Sequence, residues 1–235
     1  MIIERLYPEI ANLFGDSANF KYLRESIPDA EFIETGLNET PAFLSRDVSL
    51  VYMGPMSEGH QLLALEHLRP YRDRLAQMID GGVHFLMTGN SFELFGHSIE
   101  QNGEKHEALG LLDFSSRCDT GRRYNGFFLG DFDGIKLTAF NSRFSHSWPG
   151  GKCSGFANVL RGIGLNEGCN FEGVKKNNFI GTYLLGPLLV LNPLFTARLM
   201  EELGLPGAKP AFFEQSMEAY ERRLGEFEDE RRKLD

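Results

Sequence analysis

The feature that most constrains this chain is a compact, mostly apolar run, Val83 to Thr88, held between Asp80-Gly81-Gly82 and Gly89-Asn90-Ser91. A short greasy segment closed by turn residues on both sides reads as a strand buried on both faces, the kind found inside parallel sheets. Parallel neighbours need crossover connections, and the flanking sequence supplies them. Ile2 to Leu6, Glu31 to Glu34 and Ser49 to Met53 read as further strands, the last ending in Gly54-Pro55. Ala18 to Glu25 reads as a helix opened by Asp16 or Ser17 as N-cap. Farther on, Leu63, Leu68, Tyr71, Leu75, Met78 and Ile79 fall near one face of a long amphipathic helix. Strand and helix in alternation predict an α/β fold of three layers, a mostly parallel sheet with helices on both faces. Ligands in such sheets sit beyond the carboxyl ends of the strands, so the glycine turn after Thr88 is where chemistry is expected.

The second half has a different texture. Phe127 to Phe140 reads as short strands with Gly-Asp turns, and residues 149–173, rich in Gly and Asn, read as loop. Phe179 to Leu184 is a further strand, and Pro193 to Leu203 a helix stopped by Gly204. After Pro210, Phe213, Met217, Tyr220, Leu224 and Phe227 recur at spacings of four and three, the stripe of an amphipathic helix. That helix either packs on its own domain or is offered to a partner subunit. The expected organisation is a domain over residues 1–205 and a C-terminal helical extension over 206–235.

Composition narrows the function classes. At 235 residues the chain can bury a full core without disulfides or a structural metal. A net charge of −9 argues against a broad nucleic-acid surface, which needs clustered Lys and Arg. Three cysteines, Cys118, Cys153 and Cys169, without close pairing suit reduced thiols. The opening residues lack the shape of a signal peptide. The longest apolar run, Tyr183 to Leu191, is broken by Gly186-Pro187 and is too short to span a bilayer. A cytoplasmic protein with no metal or cofactor is the expectation.

A strand that runs into a tight glycine turn and then a helix is the nucleophile elbow of several hydrolase families. There one side chain is pushed into an exposed position, where a helix dipole and backbone N–H groups stabilise negative charge. Here the segment is F-L-M-T-G-N-S-F-E-L-F-G, Phe85 to Gly96. It resembles the elbow of cobyric-acid-synthase-type glutamine amidotransferases, above all the GatD glutaminase subunits of lipid II isoglutaminyl synthase. Their elbow reads roughly I-C-G-G-Y-Q-L-L-G, and an ungapped match from Gly96 places the cysteine on Gly89. The opening L-Y-P-E-I-A-N-L-F-G-D, Leu6 to Asp16, and A-L-G-L-L-D-F, Ala108 to Phe114, are similar to stretches of the same family. So is G-T-Y-L-L-G-P-L-L, Gly181 to Leu189, where the family's histidine falls on Leu185. The resemblance spans most of the chain to about residue 205 and implies a class I glutamine amidotransferase, flavodoxin-like fold with a C-terminal helix added.

The resemblance also implies an activity that these residues lack the means to perform. Glutamine hydrolysis in the family needs a thiol activated by a base. Glycine offers no nucleophile, and leucine neither accepts nor donates a proton. Ser91, two residues along, is a poor substitute: an elbow needs small residues two places on either side, and Glu93 is bulky, so capping of the next helix is the expected role. Asn90, Ser91, Glu93, Arg143 and His146 are the candidate ligand-binding residues of the old pocket. Arg143 offers a fork for a carboxylate; an exposed loop arginine and a surface histidine are the alternative. In the family the glutaminase passes ammonia to a MurT-type Mur ligase, so a MurT-like subunit is the implied partner. Three readings stay open: a silent subunit beside that ligase, an active amidotransferase with relocated residues, and a stand-alone small-molecule-binding module.

Overall fold

A computed structural model describes residues 1–232. The chain runs β1 (Ile2–Leu6), α1 (Ser17–Ser26), β2 (Glu31–Thr35), β3 (Leu50–Met53), α2 (Glu58–Leu68), α3 (Arg72–Asp80) and β4 (His84–Thr88). A second region comes next: β5 (Ser98–Gln101), β6 (Glu104–Glu107), β7 (Phe114–Cys118), β8 (Tyr124–Phe132), β9 (Ile135–Arg143) and β10 (Ser145–Pro149). It closes with β11 (Ser154–Arg161), β12 (Phe171–Lys176), β13 (Phe179–Thr182), α4 (Leu188–Leu191), α5 (Pro193–Glu202) and α6 (Phe213–Glu228).

The main sheet has nine strands in the order β2-β1-β3-β4-β13-β12-β11-β8-β9. From β2 to β13 every pairing is parallel; beyond β13 every pairing is antiparallel. Strand β1 has β2 on one side and β3 on the other, so the direction of winding reverses there. Such a reversal leaves a crevice at the carboxyl ends of the strands. The alternation of side chains builds the three layers. Phe85 and Met87 of β4 face α2 and α3, joining Leu65, Leu68, Leu75, Met78 and Ile79. Leu86 faces the other way, towards Phe20 and Leu23 of α1 and Phe195 and Leu199 of α5.

Four details depart from the sequence expectations, each for a local reason. The long amphipathic helix is two helices, because Pro70 cannot donate the helical hydrogen bond and the chain passes through a 3-10 turn at Arg69–Tyr71. Within α2, Leu63 faces out while Leu65 and Leu68 face in, since five residues turn a helix through about 140° and set Leu63 apart from Leu68. Asp16 precedes α1, yet its carboxylate makes no cap bond and turns inward instead. The short strands between Phe127 and Phe140 are a hairpin of two nine-residue strands. Its Asp133-Gly134 turn has φ +49° and +86°, the doubly positive pair of a type I′ turn. Residues 149–173 are not loop throughout, since β11 runs through them, and its Gly155 leaves the space that the Phe171 ring occupies.

Helix α6 packs on its own chain. Tyr220 and Phe227 are buried, Tyr220 donates to the Lys136 carbonyl, and Arg223 bonds the Thr138 hydroxyl and the Leu191 carbonyl. A smaller sheet, β10-β7-β5-β6, stands beside the main one. No helix among the described residues is long and apolar enough to cross a membrane.

Candidate functional site

The site is assembled by loops that leave the carboxyl ends of four parallel strands. Leu13 and Phe14 follow β1, Pro55 and Met56 follow β3, Gly89 and Asn90 follow β4, and Tyr183 and Leu185 follow β13; all line one cavity of about 100 Å³. Gly89 and Leu185, the positions that the resemblance gives to nucleophile and base, therefore share one pocket. Gly89 has φ +60°, a left-handed conformation that glycine takes without strain and that puts the turn into its elbow shape. Leu185 is buried, and its backbone is fixed by reciprocal hydrogen bonds with Phe140 of 2.8 and 3.1 Å. About 100 Å³ accommodates a few waters but falls below the several hundred Å³ of an ordinary ligand pocket.

The turn after β3 closes the floor. A Cβ on Gly89 would meet the Pro55 ring. Pro55 has no N–H to offer to a developing oxyanion. The next N–H, that of Met56, donates to Asn90 Oδ1 at 3.0 Å, and Asn90 Nδ2 returns a bond to the Met56 carbonyl at 2.9 Å. Asn90 thus spends both ends of its amide on this turn. From Gly89 the chain enters a seven-residue 3-10 helix, a short one to supply a dipole.

Ser91 is fully buried and lies beneath the pocket. Its hydroxyl shares its proton between the carbonyls of Thr88 at 2.7 Å and Met53 at 3.0 Å. That corrects the expected capping role, since the bond runs to carbonyls and not to helix N–H groups. Glu93 is also fully buried, accepting from Gln61 Nε2 and from the Tyr183 hydroxyl, both at 2.8 Å. Burial pushes its carboxyl up to about 7, against the bonds from Gln61, Tyr183 and Ser145 and the charge of Arg143. Behind Tyr183, Ser147 and Ser116 continue the chain of hydroxyls at 2.7 Å steps.

Arg143 reaches the pocket wall, but from inside the protein, which removes the exposed-loop alternative. Its guanidinium lies 3.9 Å from the centre of the Tyr183 ring and donates to the Gly164 carbonyl at 2.6 Å. Among the described residues, nothing accepts from its Nε or Nη1. Burial disfavours its charge, and Tyr183, Glu172 and Glu93 counter that. His146 does not join this group. It lines a separate cleft with Trp148, and burial followed by the Arg143 charge lowers its pKa.

A family model for the CobB/CobQ-like glutamine amidotransferase domain matches residues 2–192. This chain belongs to that family. The relatives include the GatD subunit of lipid II isoglutaminyl synthase (glutamine-hydrolyzing) from Staphylococcus aureus strain N315, 27% identical over 198 residues, covering 81% of this chain and 79% of the relative. The GatD subunit from Streptococcus pneumoniae strain ATCC BAA-255 / R6 is 24% identical over 206 residues, covering 84% and 78%. The fold is that of solved amidotransferases. One from Thermotoga maritima superposes with a TM-score of 0.53 at 10% identity over 96% of this chain and 94% of its own. Another gives 0.55 at 12% identity over 86% and 98%.

Within this CobB/CobQ-like domain, Tyr183, Pro55 and Gln61 went unmarked in the sequence. Tyr183 sits in the G-T-Y run as a plain strand residue, and only the register of β13 beside β4 brings its hydroxyl to Glu93. Pro55 read as a strand stop; its second effect, on Gly89, depends on how closely two turns approach.

Proposed function

We propose that this chain is a GatD-like subunit that does not hydrolyse glutamine and serves as the non-catalytic partner of a MurT-like Mur ligase in cell-wall precursor amidation. The observation that carries the reading is Gly89 at the elbow, facing Pro55 and sharing its pocket with Leu185. Three requirements of thioester chemistry go unmet at one place: a nucleophile, a base, and an N–H from the adjoining turn. The GatD relatives supply the rest, because their names describe glutamine-hydrolyzing subunits of lipid II isoglutaminyl synthase. In this reading the ligase draws on free ammonia or another amine, and the complex is cytoplasmic. Arg143, the guanidinium side chain in the pocket wall nearest Tyr183, suits a small anionic group, such as a carboxylate.

The test is direct. Purified protein incubated with glutamine releases no glutamate above buffer, and a tagged chain retains a Mur-ligase-like protein from its native cell. Steady glutamate release sinks the silent-subunit reading; failure to retain a ligase leaves a binding module.

A further inference from the structure

A cleft of about 650 Å³ lies away from the elbow, on the smaller sheet. Strand register puts its side chains on one face: Glu100 of β5 is level with Arg117 of β7, which is level with His146 of β10, and Ser115 is level with Trp148. The opposite face, with Ile99, Phe114, Ser116 and Ser147, is buried. This cleft is not used by the elbow or by anything inferred from it.

Its chemistry is unusual in two respects. Trp148 is 49% exposed, so a large flat apolar ring stands in a polar surface, its centre 6.4 Å from that of the His146 ring in a T-shaped contact. Two of the cations around it are paired, Arg117 with Glu100 at 3.1 Å and Arg122 with Glu167 at 3.2 Å, and a third, Lys105, is level with Glu100 on β6. Asp119 adds a further carboxylate, and burial, followed by the Arg143 charge, disfavours protonation of His146. With Glu100, Asp119 and Glu167 set against Arg117, Arg122 and Lys105, a phosphate or carboxylate meets as much negative charge as positive here. A nucleobase stacks on an indole too, but a nucleotide brings phosphates.

A ligand that fits has one flat apolar face and many neutral groups that both donate and accept. A sugar ring has both: its C–H face packs on an indole, and its hydroxyls satisfy guanidinium donors and carboxylate acceptors together. We propose that this cleft binds a neutral saccharide, with a ring stacked on Trp148 and hydroxyls bonded to the Arg117–Glu100 pair. The site is independent of the silent-subunit reading and stands whether or not that reading does.

Trp148 is the chain's single tryptophan, so its emission reports on this cleft alone. Titrating the full chain with the neutral disaccharide N,N′-diacetylchitobiose is expected to give a saturable blue shift, with a Kd on the order of 1 mM. By calorimetry, Arg117→Met weakens binding about tenfold and Trp148→Ala abolishes it. Both variants stay folded, with thermal midpoints close to the parent's, because Arg117 is largely and Trp148 half exposed. Emission that stays unchanged up to about 10 mM disaccharide overturns the proposal. So does full binding by Trp148→Ala, or an equal response to inorganic pyrophosphate, which marks an anion site.

Discussion

A methyl group on Gly89 would lie 2.4 Å from the Cβ of Pro55, well inside the distance at which two carbons repel. Gly89→Cys combined with Leu185→His therefore does not rebuild a working elbow. The expected outcome is no labelling by a glutamine-mimicking electrophile, read by mass spectrometry, together with a loss of about 2–4 kcal/mol from overpacking and left-handed strain. Adding Pro55→Gly removes the 2.4 Å contact and restores an N–H while leaving the Cα of residue 55 at 3.1 Å, and recovers part of the lost stability. Labelling of the two-residue variant at full stoichiometry contradicts this account.

Glu93 predicts a pH effect with a definite sign. Its carboxyl is raised from 4.5 to about 7 by burial, so the folded state favours the neutral acid. That contribution is complete below pH 4.5 and is lost as pH rises through 7. Glu172, raised to about 7 by burial, acts in the same direction. Glu93→Gln is expected to flatten the decline, gaining up to about 3 kcal/mol on the parent between pH 5 and pH 8 in urea unfolding. The Oε1 of Gln61, which has no partner among the described residues, can then accept from the new amide. A parallel decline in both proteins means that Glu93 is charged in the fold.

Arg143 is a structural cation as much as a pocket wall. Arg143→Met keeps the stem but removes the contact over Tyr183 and the bond to Gly164. The expected cost is about 2–4 kcal/mol, because two buried carboxyls lose their nearest positive charge. Their midpoints move further up, which difference titration of Arg143→Met against the parent reads out.

Gly155 tests the strand that its composition concealed. A Cβ there would come 2.4 Å from the Phe171 ring, so Gly155→Ala is expected to cost about 1–3 kcal/mol. Paired with Phe171→Leu, most of that cost disappears, and the coupling in a double-mutant cycle measures the contact.

Much of the architecture is legible in the residues. The run into Gly89 gives both the buried strand and the turn, because apolar length and glycine act locally. The helix at Ser17–Ser26 and the stop at Gly204, with φ +90°, are equally local. What escaped depends on distant partners. β11 looked like loop because its Gly155 is explained only by Phe171, sixteen residues away. Arg143 and His146 are three residues apart, yet they serve different surfaces, because β9 ends and β10 begins between them. No spacing rule announces that separation.

Asp16 bears on how such a turn persists. Its buried carboxylate receives the hydroxyls of Tyr52 and Thr88 and the amide of Asn19, so it ties the exit of β1 to β3 and to the last residue of β4. None of these groups would take part in cleaving a bond. The shape of the elbow is thus anchored from behind by a buried knot of hydrogen bonds. Selection for a stable chain preserves that shape with no demand on the chemistry of the residue at its tip, which is how, under the silent-subunit proposal, the outline of the elbow outlasts its use.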